Sequence, residues 1–123
     1  SYMRKIKIVV RPFEEDLEEV VEAFKRVERR EFEEEEEKIV VDSLDTLRRV
    51  LTPERLRILH VIKTRKPESI YELAKILNRD RSSVMKDLEY LKPLGLVEFE
   101  DLGRKRKPIV TYDEIIIAVP LTA

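Results

Sequence analysis

Residues 52–112 read TPERLRILHVIKTRKPESIYELAKILNRDRSSVMKDLEYLKPLGLVEFEDLGRKRKPIVTY and contain the clearest structural signals of the chain. Thr52 precedes Pro53, and a hydroxyl residue followed by proline is typical of a helix that begins at the proline. Ser69 is followed three residues later by Glu72, which is the spacing of a capping box at the start of a helix. The sequence therefore predicts two consecutive helices, one from Pro53 and one after Ser69.

A third helix is predicted over residues 80–92. Either Asp80 or Ser82 can cap its N-terminus. The apolar residues that share one face of this helix are Val84, Leu88 and Leu91. Pro93 is expected to end or kink the helix, and Gly95 provides the permissive backbone that helix C-termini favour.

Beyond Gly95 the apolar residues alternate with polar ones, as they do in strands. Residues 96–100 and 109–112 are predicted to form two strands, and residues 101–108 are predicted to form the tip of the hairpin between them. The tip carries four consecutive bases, which are Arg104, Lys105, Arg106 and Lys107. Because alternating side chains leave a strand on opposite sides, we expect only two of these bases to face one ligand.

The segments before this region predict an N-terminal extension of the domain, formed by a strand, a helix and a second strand. Residues 5–11 and 39–41 are predicted strands, and the helix predicted between them has an apolar stripe formed by Phe13, Leu17, Val20, Phe24 and Val27. The stripe is too short for an independent coiled coil, so we expect it to be a core face or a dimer seam. Residues 115–119 predict a last strand, either buried on both faces or at an interface. The predicted division is residues 1–41, an extension for dimerisation, and residues 42–123.

The composition argues against several classes of protein. The chain has 123 residues, no cysteine, two glycines and one histidine, His60. These counts argue against thiolate sites, histidine-cluster metal sites and glycine-rich phosphate loops. No apolar run approaches the length of a membrane span. We therefore expect neither an enzyme nor a protein that needs a metal or cofactor.

Charge is distributed unevenly along the chain. Residues 13–37 hold thirteen acids and four bases, whereas residues 52–112 hold fourteen bases and nine acids. This asymmetry favours an acidic segment and a basic segment with different roles, although two solvated surfaces would give the same counts. Because asparagine, glutamine and cysteine are scarce and charged residues abundant, the composition is typical of a heat-loving prokaryote. We accordingly expect a cytoplasmic protein.

Three helices followed by a basic hairpin are the element order of a winged helix-turn-helix domain. The predicted fold is therefore α+β, with an N-terminal strand-helix-strand extension and a C-terminal strand. Residues 51–59, 69–74, 88–97 and 108–115 resemble an archaeal MarR-like winged-helix regulator. The resemblance covers roughly residues 39–120, and it implies a transcriptional regulator that binds double-stranded DNA, often as a homodimer.

Nucleic acid is also the partner that this arrangement suits physically. A helix fits the DNA major groove, and a basic hairpin can contact the backbone or the minor groove. Opposite its buried stripe, the predicted third helix presents Ser82, Lys86 and Glu89, flanked by Ser83 and Tyr90. The residues expected to contact DNA are Ser69, Tyr71, Arg79, Arg81, Ser82, Ser83, Lys86, Arg104, Lys105, Arg106 and Lys107.

Other interpretations remain open at this point. The predicted domain could dock on a partner protein without binding DNA. Tyr71 could pack in the core, and the four bases of the hairpin tip could be a solvated loop. The dependence of binding on salt separates the first alternative from DNA binding, because phosphate contacts release counterions.

Overall fold

A computed structural model of the chain describes residues 3–11, Lys25 and residues 37–121. Its helices are α1 (Leu44–Val50), α2 (Pro53–Arg65), α3 (Ile70–Leu77) and α4 (Arg81–Leu91), with a 3-10 turn at Lys92–Leu94. Its strands are β1 (Lys5–Val10), β2 (Lys38–Val41), β3 (Glu98–Leu102), β4 (Lys105–Ile109) and β5 (Glu114–Ala118). The described part is mixed α+β, as predicted. The predicted apolar stripe lies outside the described residues, namely Phe13, Leu17, Val20, Phe24 and Val27.

The predicted helix starts are confirmed by their caps. The Thr52 hydroxyl accepts a hydrogen bond from the Arg55 amide at 3.2 Å. The Ser69 hydroxyl accepts one from the Glu72 amide at 3.0 Å. The second bond of the predicted capping box differs, because the Glu72 carboxylate accepts from the Glu68 amide at 3.0 Å. The Glu72 carboxylate thus binds the amide of the residue before the cap, Glu68, and not the amide of the cap residue Ser69.

The turn between α3 and α4 is short and locally specified. Asn78 ends α3 in the left-handed backbone region, with φ at 54°, which asparagine tolerates better than most residues. Of the two predicted caps, Asp80 is the one used, since its carboxylate accepts from the Ser82 amide at 3.2 Å. The predicted end of α4 is confirmed as well. The helix stops at Leu91 and the following 3-10 turn ends at Gly95, with φ at 73°.

The main core lies where α2, α3 and α4 meet. The predicted stripe of α4 is fully buried there, and the neighbouring helices add Ile58, Ile62, Ile70 and Leu73. Leu96 and Val97 also belong to this core, so the chain enters it before β3 begins. Burial of these side chains fixes one side of α4 against the protein and leaves the opposite side outside.

The bounds predicted for the hairpin were wrong. β3 and β4 are antiparallel, with Leu102 opposite Lys105, so Gly103 and Arg104 alone form the turn. Gly103 has φ at 69°, as the first position of a two-residue type II′ turn requires. Three of the four bases therefore lie in β4 and not in a loop. The alternation of apolar residues predicted only the buried end of the hairpin. The hydrogen-bonded pairing of β3 with β4 continues beyond it, through exposed polar residues.

Three strands form a second, parallel sheet in the order β2-β1-β5. Ile6, Ile8 and Val10 of the central strand β1 are buried. The prediction that the last strand is buried on both faces was wrong, because Ile116 and Ile117 are 36% and 49% exposed. Among the strands that the structure describes, β5 pairs with β1 alone, and at this edge position its side chains are open to solvent. The alternative, that β5 lies at an interface, stays a prediction.

The Arg4 cluster, formed by Arg4, Glu37, Thr111, Tyr112 and Asp113, joins this sheet to the rest of the fold. The Arg4 guanidinium donates to Glu37 at 2.8 Å and to the Thr111 hydroxyl at 2.7 Å. The same group lies 4.5 Å from the centre of the Tyr112 ring. The Arg4 amide donates to the Asp113 carboxylate at 2.8 Å. Residues 110–113, which connect β4 to β5, are thereby attached to the start of β1.

These contacts shift the titration of the groups involved. The hydrogen bond from the Arg4 side chain holds the pKa of Glu37 below its ordinary value. The pKa of Asp113 is also lowered, first by the Arg4 backbone amide and then by the Lys63 ammonium. The pKa of Arg4 is raised in turn by its bond to Glu37. Both carboxylates therefore favour their ionised forms in the folded chain.

Candidate nucleic-acid interface

An ion-pair network at Asp87 holds α4 in place. Asp87 accepts from Arg55 of α2, with Nε 3.0 Å from Oδ1, and its Oδ2 lies 2.7 Å from the Arg79 Nη2. The side chains of Asp87 and Arg55 are only 14% and 12% exposed. The Arg55 guanidinium also lies 3.9 Å from the centre of the Tyr90 ring, on the same helix as Asp87. We call Arg55, Arg79 and Asp87 the Asp87 network.

Three of the side chains expected to contact DNA are engaged within the protein. Besides its ion pair with Asp87, Arg79 donates to the Ser83 hydroxyl at 2.7 Å. The Ser82 hydroxyl donates to the Asp80 carboxylate, and this bond is the main cause of the lowered pKa of Asp80. Arg79 and Ser83 thus brace the start of α4, and Ser82 helps to cap it.

Two bases on the outward side of α4 are available. Arg81 and Lys86 are exposed, and within residues 3–11 and 37–121 neither forms an ion pair or a side-chain hydrogen bond. They line a shallow groove together with Asp80, Ser82, Met85 and Glu89. Two bases and two acids on one helical face can distinguish hydrogen-bond donors from acceptors on a ligand, and the acids keep the face from being uniformly basic.

The start of α3 carries the other expected helical contacts. Ser69 uses its hydroxyl oxygen as the helix cap, and the proton of that hydroxyl remains able to donate. Tyr71 is 59% exposed, so the alternative that it packs in the core was wrong. The Lys75 ammonium lies 5.7 Å from the centre of the Tyr71 ring. Ser69 and Tyr71 therefore both reach the surface at one end of α3.

The hairpin places its bases on two faces. The pairing of β3 with β4 puts Lys105 and Lys107 on one face and Arg106 on the other. Arg106 is 3.5 Å from Asp101, its cross-strand partner. Arg104 lies in the turn, and within the described ranges it has no ion pair. The expectation that alternate bases point to opposite sides is confirmed by this register.

A contact between the hairpin and α3 brings two sets of expected residues together. The Lys107 ammonium is 3.7 Å from the Glu68 carboxylate, and Glu68 directly precedes the cap of α3. The face of β4 that carries Lys105 and Lys107 therefore adjoins the end of α3 where Ser69 and Tyr71 lie. Arg106 faces away from this junction.

Comparison with known proteins places this arrangement in a family. The sequence matches the HVO_A0114 family over residues 50–117, which is more than half of the 123 residues. The chain belongs to the HVO_A0114 family. The match begins at the end of α1, includes α2, α3, α4 and the hairpin, and ends within β5. No curated protein matches the chain.

Two residues of the Asp87 network in this HVO_A0114 member were missed by the sequence analysis. Asp87 lies three positions after Val84 and four before Leu91, at the edge of the buried stripe of α4. An ionised group at the edge of an apolar face needs a partner, and this was the signal available in the sequence. Its partner Arg55 could not be chosen in the same way, because α2 has several arginines and lysines.

Two other classes of site have no counterpart in the described residues of this HVO_A0114 chain. Within residues 3–11 and 37–121, no helix combines the length and apolar character needed to cross a membrane. In the same ranges, no group of three histidine, cysteine, aspartate or glutamate side chains is arranged to hold a metal ion.

Proposed function

We propose that this protein is a transcriptional regulator that binds double-stranded DNA through a winged helix-turn-helix domain. In this proposal α4 is the recognition helix and enters the major groove, while the β3-β4 hairpin is the wing. The protein acts by binding, without making or breaking a bond. The resemblance to archaeal MarR-like regulators belongs to the same proposal.

The observation that carries the proposal is the placement of exposed bases around α3 and α4. Arg81 and Lys86 lie on the outward side of α4, where a helix in the major groove meets base edges. Lys107 adjoins the start of α3 through its contact with Glu68, and Lys105 lies on the same face of the hairpin, where the backbone of the same duplex would pass. Phosphate contacts of this kind fix the register of a protein on DNA.

The Asp87 network refines the expected roles of the contact residues. Arg79 is assigned a positioning role, because its guanidinium is engaged by Asp87 and Ser83. Arg81 and Lys86 are left as the principal readers on α4. A recognition helix braced by ion pairs on its inner side keeps its outward side chains in a constant orientation relative to α2 and α3.

The proposal includes a homodimer with two-fold symmetry. Its seam would be the apolar stripe of residues 13–27, and the two recognition helices would lie about 34 Å apart, one turn of DNA. Phe24→Glu should yield monomers or unfolded protein, because it places a charge in the seam. Sedimentation at micromolar concentration tests this, and a monomeric wild-type protein would contradict it.

The experiment for DNA binding starts with selection of bound duplexes from a random pool. Lys86→Ala should then weaken binding to the selected sequence by about 1–3 kcal/mol and change binding to random duplex much less. Lys38→Ala, an exposed lysine on β2 far along the chain from α4, is the control and should change neither. Unaltered sequence preference in Lys86→Ala would remove α4 from the reading role.

A second candidate function is docking on a partner protein. It is favoured by the apolar side chains of the last strand region, since Ile116, Ile117 and Val119 are 36%, 49% and 50% exposed. Salt separates the two candidates, because affinity for duplex DNA falls steeply with added salt. A wild-type protein without salt-dependent DNA binding would support docking and overturn the DNA proposal.

A further inference from the structure

A basic groove lies between the C-terminal end of α2 and strand β4. It encloses about 490 Å³. Its apolar walls are formed by Ile62, Pro108, Ile109 and Val110. Its charged residues are Lys63, Lys66, Lys107 and Asp113. Three lysines thus converge on one groove with a single carboxylate: Lys63 and Lys66 come from the C-terminal end of α2, and Lys107 comes from β4.

The three lysines differ in what they already bind. The Lys63 ammonium is 3.0 Å from Asp113 and donates to the Thr111 carbonyl at 3.3 Å. The Lys107 ammonium is 3.7 Å from Glu68. Lys66 is exposed, and among residues 3–11 and 37–121 its side chain forms no ion pair or hydrogen bond. Lys66 is therefore the base of this groove that is available to a ligand.

The backbone of Lys66 is unusual. Lys66 ends α2 in the left-handed region with φ at 48°, a conformation that glycine adopts far more readily than lysine. Asn78 is the other described non-glycine residue at positive φ, and asparagine tolerates this region. Lysine is therefore an unfavourable residue for the backbone at this surface position, and what it supplies that glycine would not is its charged side chain.

We propose that this groove binds a phosphate of the DNA backbone, with Lys66 as the direct contact and Lys107 beside it. The inference rests on the proposed function and extends its contact surface from the wing to the end of α2. Lys107 shares a hairpin face with Lys105, and its partner Glu68 directly precedes the cap of α3. The groove is therefore continuous with the wing and with the start of α3.

The charge of the groove suits a phosphodiester. Lys63 is neutralised by Asp113 and Lys107 is partly neutralised by Glu68, so Lys66 supplies the uncompensated charge. A backbone phosphodiester carries one negative charge, whereas free phosphate and nucleotides carry more. One available ammonium beside an apolar wall matches the singly charged group and the sugar next to it.

Lys66→Gly tests the proposal, because it removes the ammonium and relieves the backbone at once. The melting temperature should be no lower than that of the wild type. Affinity for random-sequence duplex should fall, and the slope of log affinity against log salt should become shallower by about 0.9. The loss of affinity between 50 and 200 mM salt should accordingly shrink by roughly 3.5-fold.

Two further variants make the outcome decisive. Lys66→Gln keeps the side-chain length without the charge and should shift the slope as Lys66→Gly does. Asn78→Gly makes the same backbone change at the end of α3 without removing a base, and its slope should equal that of the wild type. Both are measured by fluorescence anisotropy on the same duplex.

Three outcomes would overturn the inference. Wild-type slopes in both Lys66 variants would refute the phosphate contact and leave the proposed function standing. Absence of duplex binding by the wild type would refute the proposed function and the contact together. Thermal stabilisation of the wild type, but not of Lys66→Gln, by inorganic phosphate, together with unchanged duplex binding by Lys66→Gln, would assign the groove to a free anion.

Discussion

Two of the arginine–aspartate contacts in this protein, one on α4 and one in the hairpin, have different consequences. In the Asp87 network, Asp87 contacts Arg55 at 3.0 Å, and these side chains are 14% and 12% exposed. In the hairpin, Asp101 lies 3.5 Å from Arg106, and these side chains are 81% and 50% exposed. The residue types are the same, and the difference is burial.

Burial decides whether such a pair contributes to the fold. An exposed pair exchanges one hydrated state for another, so it contributes little to stability. A buried carboxylate that loses its partner is left without water or counter-charge, which is strongly destabilising. The bases around Asp87 are therefore committed to holding α4, whereas those of the hairpin stay available to a ligand.

The largest expected effect comes from breaking the less exposed of the two pairs, Asp87 with Arg55. Asp87→Ala should lower the free energy of unfolding by about 3 kcal/mol, because Arg55 and Arg79 lose their shared counter-charge. Asp101→Ala, the matched change in the hairpin, should lower it by less than about 1 kcal/mol. Urea unfolding of both variants measures the difference. Equal losses would mean that burial does not separate the two regions.

Arg79 and Arg81 allow the same comparison between an engaged and an available arginine at the start of α4. Arg79→Ala should lower the free energy of unfolding by about 1–2 kcal/mol, since Arg79 braces Asp87 and Ser83. Arg81→Ala should change stability by less than about 0.5 kcal/mol and should weaken DNA binding instead. Unfolding and anisotropy measurements on the same two variants test this. A stability loss in Arg81→Ala like that in Arg79→Ala would contradict the division of roles.

The hairpin provides a comparison between its own two faces. Neutralising Arg104, Lys105, Arg106 and Lys107 together should make the salt slope of DNA binding shallower by about two units. Lys105→Ala combined with Lys107→Ala should account for about 1.8 of this, because these lysines share the face next to α3. Arg106→Ala should leave the slope almost unchanged. Similar effects from both faces would show that the wing binds in another orientation.

The smallest expected effect concerns acid. Because Glu37 and Asp113 have lowered pKa values in the folded chain, the stability they contribute is complete above their unfolded pKa values, about 4. It is lost as the pH falls through their folded values. Arg4→Ala removes the side-chain partner of Glu37 and keeps the backbone amide that Asp113 accepts from, so it should flatten in part the fall of the urea midpoint below about pH 4. Arg57→Ala, an exposed arginine of α2 outside the Arg4 cluster, is the control and should keep the wild-type profile.

Local signals determined much of this fold. The starts of α2 and α3 follow from Thr52 and Ser69, whose hydroxyls bond to amides three residues away. The end of α4 follows from Pro93, which disfavours continuation of the helix, and from Gly95, which adopts the positive φ after it. Such features need only a few neighbouring residues, so a single sequence contains the information.

The extent of the hairpin and the exposure of β5 could not be predicted from the sequence. Apolar alternation ends where burial ends, and β4 continues past that point through Lys105 and Arg106. The apolar run at Ile115, Ile116 and Ile117 resembles a buried strand, yet its exposure depends on which strands become its neighbours. Neither property is set by residues close in sequence.

The roles of the bases around α4 were decided by tertiary structure alone. The sequence by itself determined that Arg79 and Arg81 flank the start of a helix with an apolar inner face. It did not distinguish them, since both are arginines two positions apart. Asp87 and its partner Arg55 are separated by 32 positions, and only packing of α4 on α2 brings them together. Electrostatic partners depend on distance in space, and distance in space is established by the apolar core.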